Sequence, residues 1–380
     1  MLLNELDYEL PPESIAQEPV EPRDAARLLV VRGCGSGLGD SDGGPAASGP
    51  RVAGAPEAAL DDRRVHDLAA LLRPGDLLVR NDTRVLAART FFRRPTGGRL
   101  ELLFLHRRCG EDATAQDRGE GPAGERWEVL VRGRTRPGEV LTCDSDETWT
   151  VAAVAALGEG RWEVEHRSAE PVEDALERCG VTPLPPYIHR PVEDGERYQT
   201  TFAVRPGSAA APTAGLHFTP ALDDALRAAG VTILEITLHV GLGTFRPLSQ
   251  EALDAGRLHA EAFAVPADVW EQVRTARQSG RRTVAVGTTV VRTLEHLWRR
   301  TGGGPVTTAA AEGWTELFIG PGFRFNVVGA LMTNFHLPRS SLLALVMAFC
   351  GVERTRAAYA HAVAAGYRFY SFGDAMLALP

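Results

Sequence analysis

Apolar residues recur along this 380-residue chain in two rhythms. Between 88 and 164 they form short runs of strand composition at 100–105, 127–131, 149–154 and 161–164. Turn signals such as Thr96-Gly97-Gly98 and Arg136-Pro137-Gly138 separate them, and no helical period intervenes. Short strands with glycine and proline turns predict a small antiparallel β-barrel over 89–164. On either side the rhythm changes. Helical periods at 220–229, 267–279, 290–300 and 340–350 alternate with strand runs at 231–240 and 282–286, and Gly351 closes the last helix. Such alternation predicts an α/β main domain with a mixed sheet, built from 1–88 and 165–380, into which the barrel is inserted.

Two stretches break the pattern. Residues 33–62 are rich in Gly, Ala, Pro, Ser and Asp. That composition buries too little apolar surface to offset ordering entropy, so a mobile loop is expected. Residues 107–125 are polar and lie between two strand-like runs, as a long hairpin loop would.

Charge adds one feature. The net charge is −8, yet 63–136 holds 16 arginines against 10 acidic residues. A basic region on an acidic body suits a phosphate-binding face; a solvated arginine-rich surface suits it equally. All 41 basic residues are arginine. A lysine Schiff base, a pyridoxal phosphate anchor and a Walker-type phosphate lysine are therefore excluded. The five cysteines form no C-x-x-C pair, so neither a zinc site nor a disulfide framework is expected. The first residues carry no basic, apolar leader pattern, and the longest apolar run, 342–350, falls short of the roughly 20 residues a membrane span needs. A soluble cytoplasmic protein, monomeric by default, is the expectation.

Four segments carry candidate chemistry. In the string from Pro206 to Thr219, small residues let the backbone approach a ligand, with Thr213 and His217 beside it. A Pro/Ala loop around one packed histidine fits the string as well. The run from Arg282 to Arg292 reads strand, tight turn, helix, so turn amides with Thr288, Thr289 and Arg292 would suit a carboxylate or phosphate. A capped helix with a surface arginine is the plainer alternative. Thr333-Asn334-Phe335-His336-Leu337-Pro338 has the look of an active-site wall, or of a satisfied buried histidine. Asn81-Asp82-Thr83-Arg84 sets four hydrogen-bonding side chains at a strand end. Gly241-Leu242-Gly243 is only a lone Gly-x-Gly, and His239, His259 and Glu261 have no metal spacing.

Taken in order, these strings resemble one family. They are joined by Leu10-Pro11-Pro12, Glu21-Pro22-Arg23-Asp24, 74–89, 184–187, Glu196-Arg197-Tyr198-Gln199-Thr200, 239–245 and 366–376. The family is the S-adenosylmethionine:tRNA ribosyltransferase-isomerases of queuosine biosynthesis. The resemblance runs nearly end to end. It implies S-adenosylmethionine as ribosyl donor and, as acceptor, 7-aminomethyl-7-deazaguanine at the wobble position of tRNA. Epoxyqueuosine-tRNA, adenine and methionine would be the products, with no metal or prosthetic group. His217 and His336 would then be acid and base with Thr213 beside them. Thr288, Thr289 and Arg292 would hold the co-substrate, Asn81 and Asp82 the acceptor base, and Arg132, Arg134 and Arg136 the tRNA. The chain departs from the family pattern at Asn326 and Gly329, where a lysine and an aspartate are expected, and at Val290, where serine is common. The Asn326 and Gly329 departures, with the acidic body, leave open the same chemistry on a free 7-deazapurine; a tRNA-binding relative without catalysis is the other alternative.

Overall fold

The computed structural model describes residues 3–34, 59–108, 124–190, 194–241, 248 and 250–380. Its main body is a nine-stranded sheet. From one edge to the other the strands are Ala310–Leu317, Arg257–Pro266, Thr232–Leu238, Leu77–Asn81, Thr283–Val286, Val328–Asn334, Ala375–Ala378, Arg27–Val31 and Leu60–Arg64. The four central strands from Thr232–Leu238 to Val328–Asn334 run parallel, while antiparallel pairs flank them. The sheet is mixed, as the alternating pattern implies.

Burial explains why the inner strands read as continuous apolar runs. Leu77 and Val79 face one core and Leu78 the other, and Leu29 and Val31 oppose Leu28 and Val30 in the same way. A strand covered on both faces needs no polar alternation. The first face carries the helices Ala267–Gln278, Thr288–Thr301, Ser341–Cys350 and Val352–Ala364; Pro220–Ala228 packs on the second. Thr288–Thr301 buries Val290, Val291, Leu294 and Leu297, a helical stripe, and stops at Gly302 in the left-handed conformation. Ser340 caps Ser341–Cys350 by accepting the Leu343 N–H.

Between Ala88 and the helix Val172–Cys179 the chain forms a closed six-stranded antiparallel barrel. Phe92, Phe104, Trp127 and Trp149 fill its interior, with Phe92 edge-on to Trp149 at a centroid distance of 5.1 Å. Val172, Ala175 and Leu176 of the following helix pack on the same core. That helix ends at Gly180, where a Cβ would lie 1.7 Å from the Ala87 carbonyl oxygen. Only glycine lets the strand entering the barrel pass the helix leaving it.

The expected loop over 33–62 needs correction at both ends. Cys34 is buried and donates its N–H to Leu379, while Leu60, Asp61 and Asp62 belong to the edge strand paired with Arg27–Val31. Polar composition misleads here because an edge strand keeps its charges outside: Asp61 pairs with Arg63, and Asp62 with Arg27 and His361. Residues 35–58 lie outside the described residues, as do 109–123 of the expected hairpin loop and Leu242 and Gly243. The strands flanking 109–123 do pair antiparallel. Cys34, Cys143, Cys179 and Cys350 are free thiols. No helix among the described residues is long and apolar enough to cross a membrane.

Candidate active site

Strands Leu77–Asn81, Thr283–Val286 and Val328–Asn334 run parallel and end on one side of the sheet. Open α/β sheets bind ligands outside the carboxyl ends of such strands. A cavity of about 530 Å³ lies there, inside the roughly 300–1,000 Å³ range of small-molecule sites. Its lining includes 210–214, Gly287–Thr289 and 333–340, with Tyr187, Tyr198, Tyr370 and Ser371. Gly287 has φ +89°, a conformation that L side chains rarely adopt, and turns the chain so that Thr288–Thr301 starts at the cavity wall. The Gly287 N–H is used by the Met332 carbonyl, which leaves the first N–H groups of the helix and the Thr288 and Thr289 hydroxyls at the wall, an arrangement suited to an anion.

Three expected site residues besides that pair fall at or beside the cavity, in different ways. Thr213 lines it. His336 lines it too, with Nε2 2.9 Å from the Thr333 hydroxyl, and no hydrogen bond of its Nδ1 is found among the described residues. Its backbone is pinned from both sides: the carbonyl accepts the Tyr8 hydroxyl and the N–H donates to Tyr359. Burial pushes the imidazole down to about 3, so it is neutral. His217 stands behind the wall. Its Nε2 lies 3.4 Å from Asn334 Nδ2, and it faces a separate small cleft bordered by Arg23 and Arg368. Burial, partly opposed by Asp374, lowers it to about 4.

The remaining expected residues are elsewhere. Arg292 does not reach the cavity. Its guanidinium pairs with Glu261 and donates to the Thr315 and Leu317 carbonyls, tying the helix to the sheet edge. Residues 288, 289 and 292 are one helical turn apart, but helix geometry turns 292 inward to a carboxylate that no local pattern announces. Asn81 is spent on the backbone: Nδ2 donates to the Leu238 carbonyl, and Oδ1 accepts the Thr83 and Leu238 N–H groups. Its Nδ2 also reaches Thr289 Oγ1 at 3.3 Å, so Asn81 orients a cavity residue instead of lining the cavity. Asp82 accepts the Thr237 hydroxyl and faces Arg205 at 3.5 Å; burial raises its carboxyl above the usual range. His239 holds the Thr83 hydroxyl at 2.8 Å, a structural role.

Arg132, Arg134 and Arg136 are exposed at the barrel end remote from its junction with the sheet, since Arg132 pairs with Glu101 and Arg93 with Arg99. Arg93 is exposed beside Asp144, whereas Arg94 is largely buried against Glu139.

The three departures stay out of the cavity. The buried Glu295 carboxylate accepts N–H groups from Asn326, Val327 and Val328 and from the Asn326 side chain. Backbone and amide donors thus satisfy the acid that a lysine at 326 would face. Val290 and Val328–Asn334, which contains Gly329, are packed in the sheet core.

The sequence pattern does not single out Tyr187, Tyr198, Tyr370 or Ser371 as site residues, although all line the cavity. Only the scarcity of tyrosine, six in the chain, marks three of them.

A cavity with a hydroxyl-bearing helix N-terminus at the carboxyl ends of parallel strands defines a small-molecule enzyme site on an α/β scaffold. A family model described as queuosine biosynthesis protein matches residues 3–378, and the chain belongs to that family. The S-adenosylmethionine:tRNA ribosyltransferase-isomerase of Rubrobacter xylanophilus is 47% identical over 381 residues, spanning 100% of this chain and 98% of that one. Its counterpart from Moorella thermoacetica is 46% identical and is covered in full, as is this chain. The crystal structure of S-adenosylmethionine tRNA ribosyltransferase from Thermotoga maritima is 34% identical, with a TM-score of 0.50 over 99% of this chain and 100% of that chain.

Proposed function

We propose that this enzyme transfers and isomerises the ribosyl group of S-adenosylmethionine onto 7-aminomethyl-7-deazaguanine in tRNA, releasing adenine and methionine and leaving epoxyqueuosine. The observation that carries the reading is full-length family membership combined with an intact cavity free of the chain's departures. The named relatives favour tRNA over a free base as acceptor. Work on tRNA belongs to the cytoplasm.

The chemistry needs a base for the proton on the 5′-carbon beside the sulfonium. His336 meets that need best. It borders the cavity, its backbone is held on both sides, and no hydrogen bond of its Nδ1 is found among the described residues. A well-placed base contributes about 10²–10⁴-fold. For the base to act through Nδ1, Nε2–H must donate to the Thr333 hydroxyl, which selects that tautomer. Thr288 and Thr289 receive the methionine carboxylate with their hydroxyls and the first N–H groups of their helix, and Thr213 contacts the ribose. His217 does not share the cavity with His336, so its role passes through Asn334. Arg292 and Asn81 support the carboxylate end from behind, and Asp82 lies outside the cavity wall. Arg132, Arg134 and Arg136 hold tRNA phosphates away from the reacting base.

The test is adenine release with acceptor tRNA and, separately, with free 7-aminomethyl-7-deazaguanine. The reading requires release with tRNA and a drop of about two orders of magnitude or more in His336→Ala. Equal turnover of the free base, or near-normal release by that variant, refutes it.

A further inference from the structure

Three buried oxygens of residues that line the cavity have no hydrogen-bond partner among the described residues: Asn334 Oδ1 and the hydroxyls of Tyr198 and Tyr370. All three residues are less than a tenth exposed. Buried polar atoms without partners are rare in folded proteins, and each calls for an explanation such as a ligand.

The Asn334 orphan follows from its surroundings. Its Nδ2 sits between two acceptors, the Tyr370 carbonyl at 2.9 Å and His217 Nε2 at 3.4 Å. Both hydrogens of the amide are thereby used, and flipping it would set Oδ1 against the Tyr370 carbonyl. Oδ1 must therefore lie on the other side, as a fixed acceptor. Tyr370 is held as firmly. It has φ +74°, a strained conformation for a side-chain-bearing residue. Its N–H donates to Phe335, and its carbonyl accepts from Gly373 as well as from Asn334. Desolvation raises the phenol well above its ordinary value, so it stays protonated and able to donate. The Tyr187 ring lies 4.2 Å from that of Tyr370 and extends the aromatic wall.

Resting on the function proposed above, we propose that Asn334, Tyr370 and Tyr187 form the subsite for the adenine ring of the co-substrate. A fixed acceptor and a donor on one cavity wall, beside aromatic faces, match the amino group and adjacent ring nitrogen along one edge of adenine. A guanine-type ring presents a comparable pair, so burial makes the choice. Leu337 and Arg339 form an exposed rim of the cavity, while Asn334 is 2% exposed and lies on its inner wall. A base tethered to tRNA enters over the rim, and the free small molecule fills the interior. His217 is then a positioning residue, holding the Asn334 amide in its reading orientation.

The experiment measures binding of S-adenosylhomocysteine and of its inosine counterpart, in which a carbonyl replaces the amino group, to the full-length enzyme. Acceptor tRNA binding is measured in parallel. The wild type should prefer the adenosine compound. Asn334→Leu and Tyr370→Phe should each weaken it about three- to tenfold, and Asn334→Leu should erase the preference. tRNA affinity should hold. Tyr370→Phe deletes an atom without partners, so it keeps the fold and the test. The subsite is refuted if the wild type binds both compounds equally, or if the variants lose tRNA affinity alone. Failure of the wild type to bind either compound would overturn the functional reading as well.

Discussion

Glu261→Ala should be among the most damaging single substitutions in this protein, without touching the cavity. Arg292 and Glu261 form an ion pair whose side chains are only 6% and 4% exposed. Removing one partner strands a charge away from water, which costs about 3–5 kcal/mol. The upper end applies to alanine, because Glu261 also accepts the Gly241 N–H at 2.9 Å. Glutamine can keep that bond, so Glu261→Gln should fall near about 3 kcal/mol. Replacing both residues, as Glu261→Leu with Arg292→Met, should cost less than Glu261→Ala alone, since no charge is left unpaired. Denaturant unfolding gives the stabilities, and S-adenosylhomocysteine binding is measured on the same preparations. The double variant should bind within about threefold of wild type, well under the roughly 1.4 kcal/mol that a tenfold change represents. Wild-type stability in Glu261→Ala would refute the buried-pair argument. A stable double variant that had lost the ligand would put Arg292 back in the binding site.

Other outcomes follow from the same structure. His336 and His217 are depressed to about 3 and about 4, so their contribution to stability is complete above about pH 6.5 and is lost as pH falls towards those values. Each should add a slope of up to about 1.4 kcal/mol per pH unit in that window, and His336→Asn should remove one share; an unchanged slope refutes the assignment. Replacing Arg132, Arg134 and Arg136 with glutamine should flatten the salt dependence of tRNA binding by about 2 units of log K per log salt, with S-adenosylhomocysteine binding unaffected. An unaltered slope would remove the barrel tip from the tRNA interface. Gly180→Ala should destabilise by about 1–3 kcal/mol or more, because its Cβ would strike the Ala87 carbonyl; unfolding followed by barrel tryptophan fluorescence would show it, and wild-type stability would contradict the packing.

Much of the fold is legible in the sequence because period and burial agree. The helical stripe of Val290, Val291, Leu294 and Leu297 and the turn-rich stretch after Ala88 each have one stable solution. The wall around Thr333 and His336 and the hydroxyls of Thr288 and Thr289 are legible as well, since strings of small and polar residues at strand ends mark a site. What sequence does not reveal is direction. Arg292 and Thr289 share a helix, but only the packed sheet edge decides that one meets Glu261 and the other the cavity. His217 and His336 look alike in their strings, and only the fold sets one on the cavity wall and the other behind Asn334. The strand at Leu60–Arg64 is hidden because four of its five residues are charged and its partner, Arg27–Val31, lies far back along the chain.

The central claim is the reaction itself. Purified enzyme is incubated with S-adenosylmethionine and tRNA carrying 7-aminomethyl-7-deazaguanine, and the tRNA is digested for nucleoside mass spectrometry. The account predicts conversion of the precursor nucleoside to epoxyqueuosine, with one adenine and one methionine released per nucleoside converted. Unmodified precursor after incubation, or a methylated nucleoside with S-adenosylhomocysteine as by-product, would contradict it.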